Sequence, residues 1–242
     1  MLFGKWMNSL PTFGALGALG GLCAVIGGFW YYATPKYWRV GYMPTQPGLG
    51  FNHQFHAGKL GIDCRYCHTK VESSAEANIP SVATCFGCHA ENHVSALVVP
   101  DEKVKFIRDA FTKDEPIAWR RAHKVPDYVR NFPHNAHVRA GVSCFTCHGQ
   151  ITGMPVVAVQ QPMSMGWCLT CHRDMKDNPG KHIVPRDKVT NLFEVEQHFS
   201  FMNPETAVGT PPKADPFAGF DAVKVKDRLK LVAPENCGAC HY

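Results

Sequence analysis

Ten of the eleven cysteines in this 242-residue sequence form pairs separated by two residues, and a histidine follows each pair directly. Two thiols at this spacing can form thioethers to the two vinyl groups of one porphyrin, and the histidine can then ligate its iron as the proximal ligand. Each segment is therefore a candidate site of covalent haem attachment. In chain order, the five motifs are Cys64, Cys67 and His68; Cys85, Cys88 and His89; Cys144, Cys147 and His148; Cys168, Cys171 and His172; and Cys237, Cys240 and His241.

Two other kinds of site use paired cysteines. Such pairs build zinc sites, and they also act as thioredoxin-like redox motifs. Neither role calls for a histidine after every pair, and zinc sites made from two pairs each would leave one pair unmatched. The pattern therefore predicts five c-type haems.

Each iron also needs a distal ligand, and a duplicated stretch offers candidates. Residues 51–56 read Phe-Asn-His-Gln-Phe-His and residues 132–137 read Phe-Pro-His-Asn-Ala-His, each shortly before a haem motif. Two histidines three residues apart on a helical turn share a face, so they can serve two irons and hold two haems close together. The match predicts two-haem repeats at 51–93 and 132–173, with the fifth haem at 237–241.

The histidines outside the motifs differ in how strongly the sequence favours them as distal ligands. The leading candidates are His53, His56, His134, His137 and then His123, which lies just upstream of the second repeat. The alternative for each is an ordinary surface histidine. His93, His182 and His198 are weaker candidates that could instead contact propionates. Methionine is the other usual distal ligand and raises the haem potential, so Met165 and Met154 are also candidates, although methionine often only fills space.

The N-terminal segment is apolar. Residues 13–33 carry no charge, which is about the length that a helix needs to cross a bilayer, and they end in an aromatic cluster typical of the interface. A cleaved signal peptide is the alternative, but its apolar run would be shorter and would end in small residues. We expect a retained anchor at 1–33 and a pentahaem domain at 34–242. Haem attachment of this kind takes place outside the energy-transducing membrane. This predicts a single-pass protein of the bacterial cytoplasmic membrane with its haems in the periplasm.

The remaining chain is short for five haems. About forty residues per haem cannot enclose each cofactor in a separate domain, so the haems themselves must supply much of the core. We expect a mainly α-helical fold with extensive loops, short helices at the motifs and little or no sheet. A helix is predicted over 101–115, with Asp101 as its cap, and an extended loop over 203–217.

The formal net charge of +5 is scattered along the chain, without a block of like charges. A diffuse excess of this kind is typical of a solvated surface, so no nucleic-acid partner is expected.

The repeated histidine unit ahead of a haem motif resembles the class III multihaem cytochromes of the c3 and c7 type. Over nearly the whole chain, the sequence is similar to the pentahaem subunit of alternative complex III, a bacterial quinol:electron-acceptor oxidoreductase. This resemblance rests on the anchor, on Gly41, Tyr42, Pro44, Gln46 and Pro47, on the residues around Cys64, and on Met165 to Cys168.

The resemblance implies an electron-transfer subunit without catalysis of its own. The implied partners are an iron–sulfur subunit related to molybdopterin oxidoreductases, polytopic quinol-binding subunits, membrane lipid, and a monohaem cytochrome c or another periplasmic acceptor, such as a copper protein or terminal oxidase. Two alternatives remain. A self-sufficient quinol dehydrogenase would oxidise menaquinol alone. A multihaem reductase would need an iron with an open position, which five motifs ending in histidine disfavour.

Overall fold

The computed structural model describes residues 4–33, 40–44, 46, 50–94, 100–125, 129, 132–207 and 209–241. Pro47 and residues 34–39, where the predicted haem domain begins, lie outside the described residues.

A long apolar helix lies near the N-terminus. A 3₁₀ turn, Lys5–Ser9, leads into helix α1, Leu10–Ala33. Pro11 stands in its first turn, where a missing N–H costs nothing. Lys5–Tyr32 is long and apolar enough to cross a membrane, and none of its most apolar stretch is buried within the protein. The helix begins three residues before the predicted segment and ends at the same residue.

Helices carry the first four haem motifs. Just before three of these helices, a polar side chain caps the first turn and stabilises it. The side chains of Asp63, Ser143 and Ser164 each accept a backbone N–H of the first turn. The remaining helices are α2 (Cys64–Cys67), α3 (Val82–His89), α4 (Asp101–Thr112), α5 (His134–Ala140), α6 (Cys144–His148), α7 (Met165–Asp177), α8 (Leu192–Met202) and α9 (Ala222–Leu229).

The rest of the described chain consists of single turns and loops. A π-helical turn spans Gln54–Lys59, and 3₁₀ turns span Ile151–Gly153, Pro179–Lys181, Arg186–Lys188, Pro204–Thr206 and Cys237–Ala239. The described residues contain no strand. The predicted fold class, mainly α-helical with extensive loops and one apolar N-terminal helix, is confirmed.

Helix α4 differs from its prediction at both ends. Its N-cap is Pro100, and Asp101 is not the cap; the Asp101 carboxylate pairs instead with Arg108 at 2.8 Å. The helix ends three residues before the predicted end. Ile107 is buried, and Phe111 stacks on Phe86 of α3 with ring centroids 3.8 Å apart. The aromatic stack therefore holds α4 against the helix of the second haem motif.

The buried apolar core is unevenly distributed. One cluster contains Val71, Val138, Val184, Val189, Val195 and Phe217, and a second contains Met175, Ile183 and Ala222. Most of these residues come from the chain after the fourth motif. In the first repeat, 51–93, only Val71 is buried among the described apolar residues. The first repeat therefore buries very few apolar side chains.

Candidate haem-binding site

Two histidines of the duplicated stretches each face the histidine of a haem motif. The rings of His56 and His89 have centroids 6.1 Å apart, and those of His137 and His172 are 6.2 Å apart. Phe51 stacks on His56 at 4.4 Å, and in the same way Phe132 stacks on His137 at 4.7 Å. The two repeats thus build the same pair, each with an aromatic ring behind the distal candidate.

The spacing within each pair suits one iron between two imidazoles. A ligating imidazole nitrogen lies about 2 Å from its metal, and its ring centre lies roughly 1 Å further away. Two rings on opposite sides of one metal therefore have centroids about 6 Å apart. The pairs in both repeats have this separation, so their geometry fits a bis-histidine haem.

Backbone carbonyls orient several of the candidate ligands. Because a carbonyl oxygen only accepts, the ring nitrogen facing it must carry the proton, and the other nitrogen is then free to bind a metal. In five candidates Nδ1 donates in this way: His56 to Asn52 (2.9 Å), His68 to Asn78 (2.6 Å), His134 to Ala75 (2.8 Å), His137 to Pro133 (2.8 Å) and His172 to Pro234 (2.6 Å). All five present Nε2 as the ligand atom.

His123 and several histidines of both repeats surround His148. His123 lies beside His148, with ring centroids 4.3 Å apart. Burial, together with smaller contributions from the charges of His123, His134, His68 and His53, lowers the pKa of His148 to about 3. Five imidazoles, four from the two repeats and His123 from the chain between them, thus lie close to one another. Burial favours the neutral form of His148, His53 and His123, which is the form that ligates iron.

Three buried ring nitrogens of the candidate ligands have no hydrogen-bond partner: Nδ1 of His53, Nδ1 of His89 and Nε2 of His123. A buried polar atom without a partner costs free energy, and native proteins contain few of them. Burial lowers the pKa of His53 to about 4, with smaller contributions from His68, His56 and His123. Unpartnered, neutral imidazoles beside paired thiols form a donor set that fits haem iron.

The thiols of neighbouring motifs also lie close together. The neighbouring Cys64 thiol, together with burial, raises the pKa of Cys144. Burial raises the pKa of Cys147 to about 12, with contributions from Cys171 and Cys168. Zinc binding and thiol redox chemistry both need a thiolate, which the surroundings of Cys144 and Cys147 disfavour. Among the described residues, no group of three or more His, Cys, Asp or Glu side chains is placed to hold a metal ion.

Two of the weaker candidates use both ring nitrogens within the protein. His198 is almost fully buried; its Nδ1 lies 2.8 Å from Asp215 Oδ1 and its Nε2 lies 3.2 Å from the Gly180 carbonyl. His182 Nε2 contacts Asp174 Oδ2 at 2.7 Å, and its Nδ1 lies 3.5 Å from Cys171 Sγ. Neither ring has a nitrogen left for iron in this arrangement.

The structure places the other candidates nearer the surface. His93 is exposed, and its Nδ1 faces the Gly87 carbonyl at 3.1 Å. Met165 is exposed at the start of α7, whereas Met154 is half-buried. In the fifth motif, Cys237–Ala239 forms a 3₁₀ turn and His241 is half-buried.

Several residues that position the site have no signal in the sequence. Ser143 Oγ donates to the Val189 carbonyl at 2.7 Å, and Thr190 Oγ1 donates to Asp63 Oδ2 at 2.7 Å. The adjacent residues Val189 and Thr190 thus hold the caps of α2 and α6, which start the first and third motifs. Contacts over such sequence separations follow from the tertiary fold, and no local pattern marks them.

No family model matches the chain. Over 160 residues, it is 27% identical to the menaquinone reductase, multihaem cytochrome c subunit, of Nitratidesulfovibrio vulgaris (strain Hildenborough). The similarity supports a multihaem cytochrome c. The matched region covers 66% of this chain and 65% of the relative, so it spans slightly less than two thirds of that protein.

Proposed function

We propose that this protein is an electron-transfer subunit of a membrane complex that oxidises quinol, and that it passes electrons through five c-type haems to a periplasmic acceptor. The observation that carries the proposal is the recurrence of one histidine pair in both repeats, at centroid separations of 6.1 and 6.2 Å. Two imidazoles on one iron leave no position open for a substrate, so electron transfer is the chemistry that the site favours.

The proposed haem ligands follow from these contacts. His56 with His89 would hold the haem of the second motif, and His137 with His172 would hold that of the fourth. His68 and His148 would be the proximal ligands of the two central haems, with His53, His134 and His123 as their candidate distal ligands. His241 would be the proximal ligand of the fifth. When bound, each haem supplies an Fe(III)/Fe(II) couple.

His198 and His182 have a structural role in this proposal. His198 joins α8 to Asp215 and to the 3₁₀ turn Pro179–Lys181, while His182 joins that turn to α7 through Asp174. Both contacts are polar and internal, so they fix the part of the chain that holds most of the apolar core. We therefore do not assign either histidine to an iron.

The proposed setting is a single pass through the bacterial cytoplasmic membrane by α1, with the haems on the periplasmic side. The resemblance to alternative complex III supports an iron–sulfur subunit of the molybdopterin-oxidoreductase type, polytopic quinol-binding subunits and a monohaem cytochrome c as partners. In this arrangement quinol is oxidised in a neighbouring subunit, and the isolated chain has no catalytic activity.

A second candidate function reverses the direction of electron flow. The relative's name describes reduction of menaquinone, so the same haems could carry electrons from a periplasmic donor towards the quinone. An activity assay of the intact complex distinguishes the two directions. A quinol-oxidising complex oxidises menaquinol when an electron acceptor is supplied, whereas a quinone-reducing complex reduces menaquinone when an electron donor is supplied. Menaquinol oxidation by the isolated chain would instead favour the self-sufficient dehydrogenase.

The test is purification of the tagged full-length chain from its native membrane in mild detergent. We expect a mass increase of five covalent haems, only low-spin signals in electron paramagnetic resonance of the oxidised protein, and co-purification of quinol-binding and iron–sulfur subunits. The variant Cys23→Ala, which removes the unpaired cysteine in α1, should keep all five haems. Fewer thioether-linked haems, or a high-spin haem, would contradict the proposal.

A further inference from the structure

The first and third motifs lie next to each other, although 80 residues separate Cys64 from Cys144 in the sequence. The Cys64 and Cys144 thiols are close enough to interact, and Val189 and Thr190 bind the caps of both motif helices. The loop after the first motif also holds the second repeat, since the Ala75 carbonyl accepts from His134 Nδ1. The two repeats therefore meet through the first motif of each.

The second motif of each repeat adjoins the first motif of the same repeat. Cys67 is close enough to Cys88 for an electrostatic interaction, as Cys147 is to Cys171. The histidine units agree with this placement in both repeats. His53 and His134 belong to the central group, whereas His56 and His137, one helical turn away, face His89 and His172.

The fifth motif adjoins the fourth. His172 Nδ1 donates to the Pro234 carbonyl at 2.6 Å, and Arg173 pairs with Glu235 at 3.1 Å, only two residues before Cys237. Cys168 and Cys240 are also close enough to interact. These contacts tie the C-terminal motif to α7.

We infer that the haem sites form an unbranched chain whose spatial order differs from their order in the sequence. The order is the second motif (His89), the first (His68), the third (His148), the fourth (His172) and the fifth (His241). The ends are the second and fifth motifs, so these two haems would exchange electrons with partners. The inference rests on the proposed function, because only bound haems make the order of sites an order of electron transfer.

The order has a measurable consequence, because adjacent haems interact electrostatically. Losing a haem changes the reduction potential of each direct neighbour, and it changes more distant haems much less. The number of remaining haems whose reduction potentials shift therefore equals the number of direct neighbours of the lost haem. In the inferred order the haem of the first motif has two neighbours and that of the second has one, whereas an order following the sequence gives the opposite numbers.

The experiment uses two matched variants of the full-length holoprotein, C64A/C67A and C85A/C88A. Haem content confirms that four haems remain, and an EPR-monitored redox titration follows each one. We expect two of the remaining haems to shift in C64A/C67A and one in C85A/C88A. The inferred order would be overturned if one haem shifted in C64A/C67A and two in C85A/C88A, or if the same number shifted in both variants.

A ligand exchange provides the same test if a deletion variant fails to fold. His56→Met keeps the haem of the second motif but should raise its potential. We then expect one other haem to shift as well, and two shifting neighbours would contradict the inferred order. The wild-type titration separates the two proposals, because fewer than five low-spin haems there would reject the proposed function independently of the order.

Discussion

At the scale of single residues, ring-nitrogen contacts divide the histidines into two groups. His56 and His137 give Nδ1 to a backbone carbonyl and keep Nε2 free, whereas His198 and His182 use both nitrogens. A histidine in the second group must break an internal contact before it can bind iron. The contacts therefore separate ligand candidates from structural histidines more sharply than sequence position does.

The first prediction compares one histidine from each group. His198→Ala should lower the free energy of unfolding by about 2–3 kcal/mol, because it leaves Asp215 without its buried partner. Its haems should all stay low-spin. His56→Ala should retain five covalent haems but convert one to high spin. Denaturant unfolding and EPR measure the two effects, and a high-spin signal in His198→Ala would contradict the grouping.

A second prediction concerns acid stability at the cap of the first motif. Burial tends to raise the pKa of Asp63, but hydrogen bonds from Arg65 and Thr190 outweigh it and lower the pKa to about 2. The stability that the ionised form contributes is complete above the ordinary value of 3.8 and is lost as the pH falls through about 2.

Asp63→Asn keeps the cap but cannot ionise. The variant should therefore be less stable than the wild type at neutral pH. The difference in the free energy of unfolding should shrink as the pH falls from 3.8 to about 2. Urea unfolding across the interval tests this. Asp109→Asn is the control, since Asp109 is exposed on α4 and its pair with Lys105 is screened by solvent. A pH-independent difference for Asp63→Asn would show that the carboxylate charge is not responsible.

At the scale of elements, the two repeats use the same parts with different packing. Gly61 and Gly141 both adopt positive φ, +67° and +94°, in the turn before a motif helix. A Cβ at Gly61 would have open space, whereas one at Gly141 would lie 2.6 Å from the Val184 carbonyl oxygen. The first turn is exposed, and the second is packed against the apolar core.

These corresponding glycines give a third prediction. Gly61→Ala should lower the free energy of unfolding by about 1–2 kcal/mol, the cost of a left-handed conformation for a residue with Cβ. Gly141→Ala should cost clearly more, because the Val184 backbone must also move. Thermal unfolding of the two variants measures the difference. Equal losses would mean that the close contact at Gly141 is relieved without cost.

Much of the secondary structure was predictable from the sequence. Residue spacing predicted α1, the helices at the motifs, helix α4 and the scarcity of strands, because these depend on local pattern. The π-helical form of Gln54–Lys59, the cap at Pro100 and the contacts of Val189 and Thr190 were not predictable, because they depend on tertiary packing. The candidate distal ligands were predictable only in part. The sequence pattern indicated the candidates, but only the structure showed that His56 and His137 face motif histidines.

At the scale of the whole molecule, the apolar core is concentrated after the fourth motif. The first repeat has Val71 as its one buried apolar residue among those described. A segment that buries so little apolar area cannot offset the conformational entropy lost on folding. In the proposed protein, covalently attached porphyrins provide the missing interior surface.

The fourth prediction is that the chain does not fold cooperatively without haem. Expression without the haem-attachment machinery should yield a protein that keeps the apolar helix α1 but lacks a cooperative thermal transition, and whose first repeat is cleaved rapidly by protease. Circular dichroism and limited proteolysis compare it with the holoprotein. A haem-free chain with the same protection in 51–93 as the holoprotein would refute this account.

The hydrogen bonds just after the anchor limit how far the protein can extend from the bilayer. Gly41 N–H donates to the Val159 carbonyl at 2.6 Å, and Val159 N–H donates to the Tyr42 carbonyl at 3.1 Å. Eight residues separate the end of α1 from Gly41, and a chain of this length spans at most about 28 Å. With α1 in the bilayer, Val159 therefore stays within about that distance of the lipid surface. In the proposed protein the haem domain is tethered there, so a soluble electron carrier would have to come to the membrane to react with it.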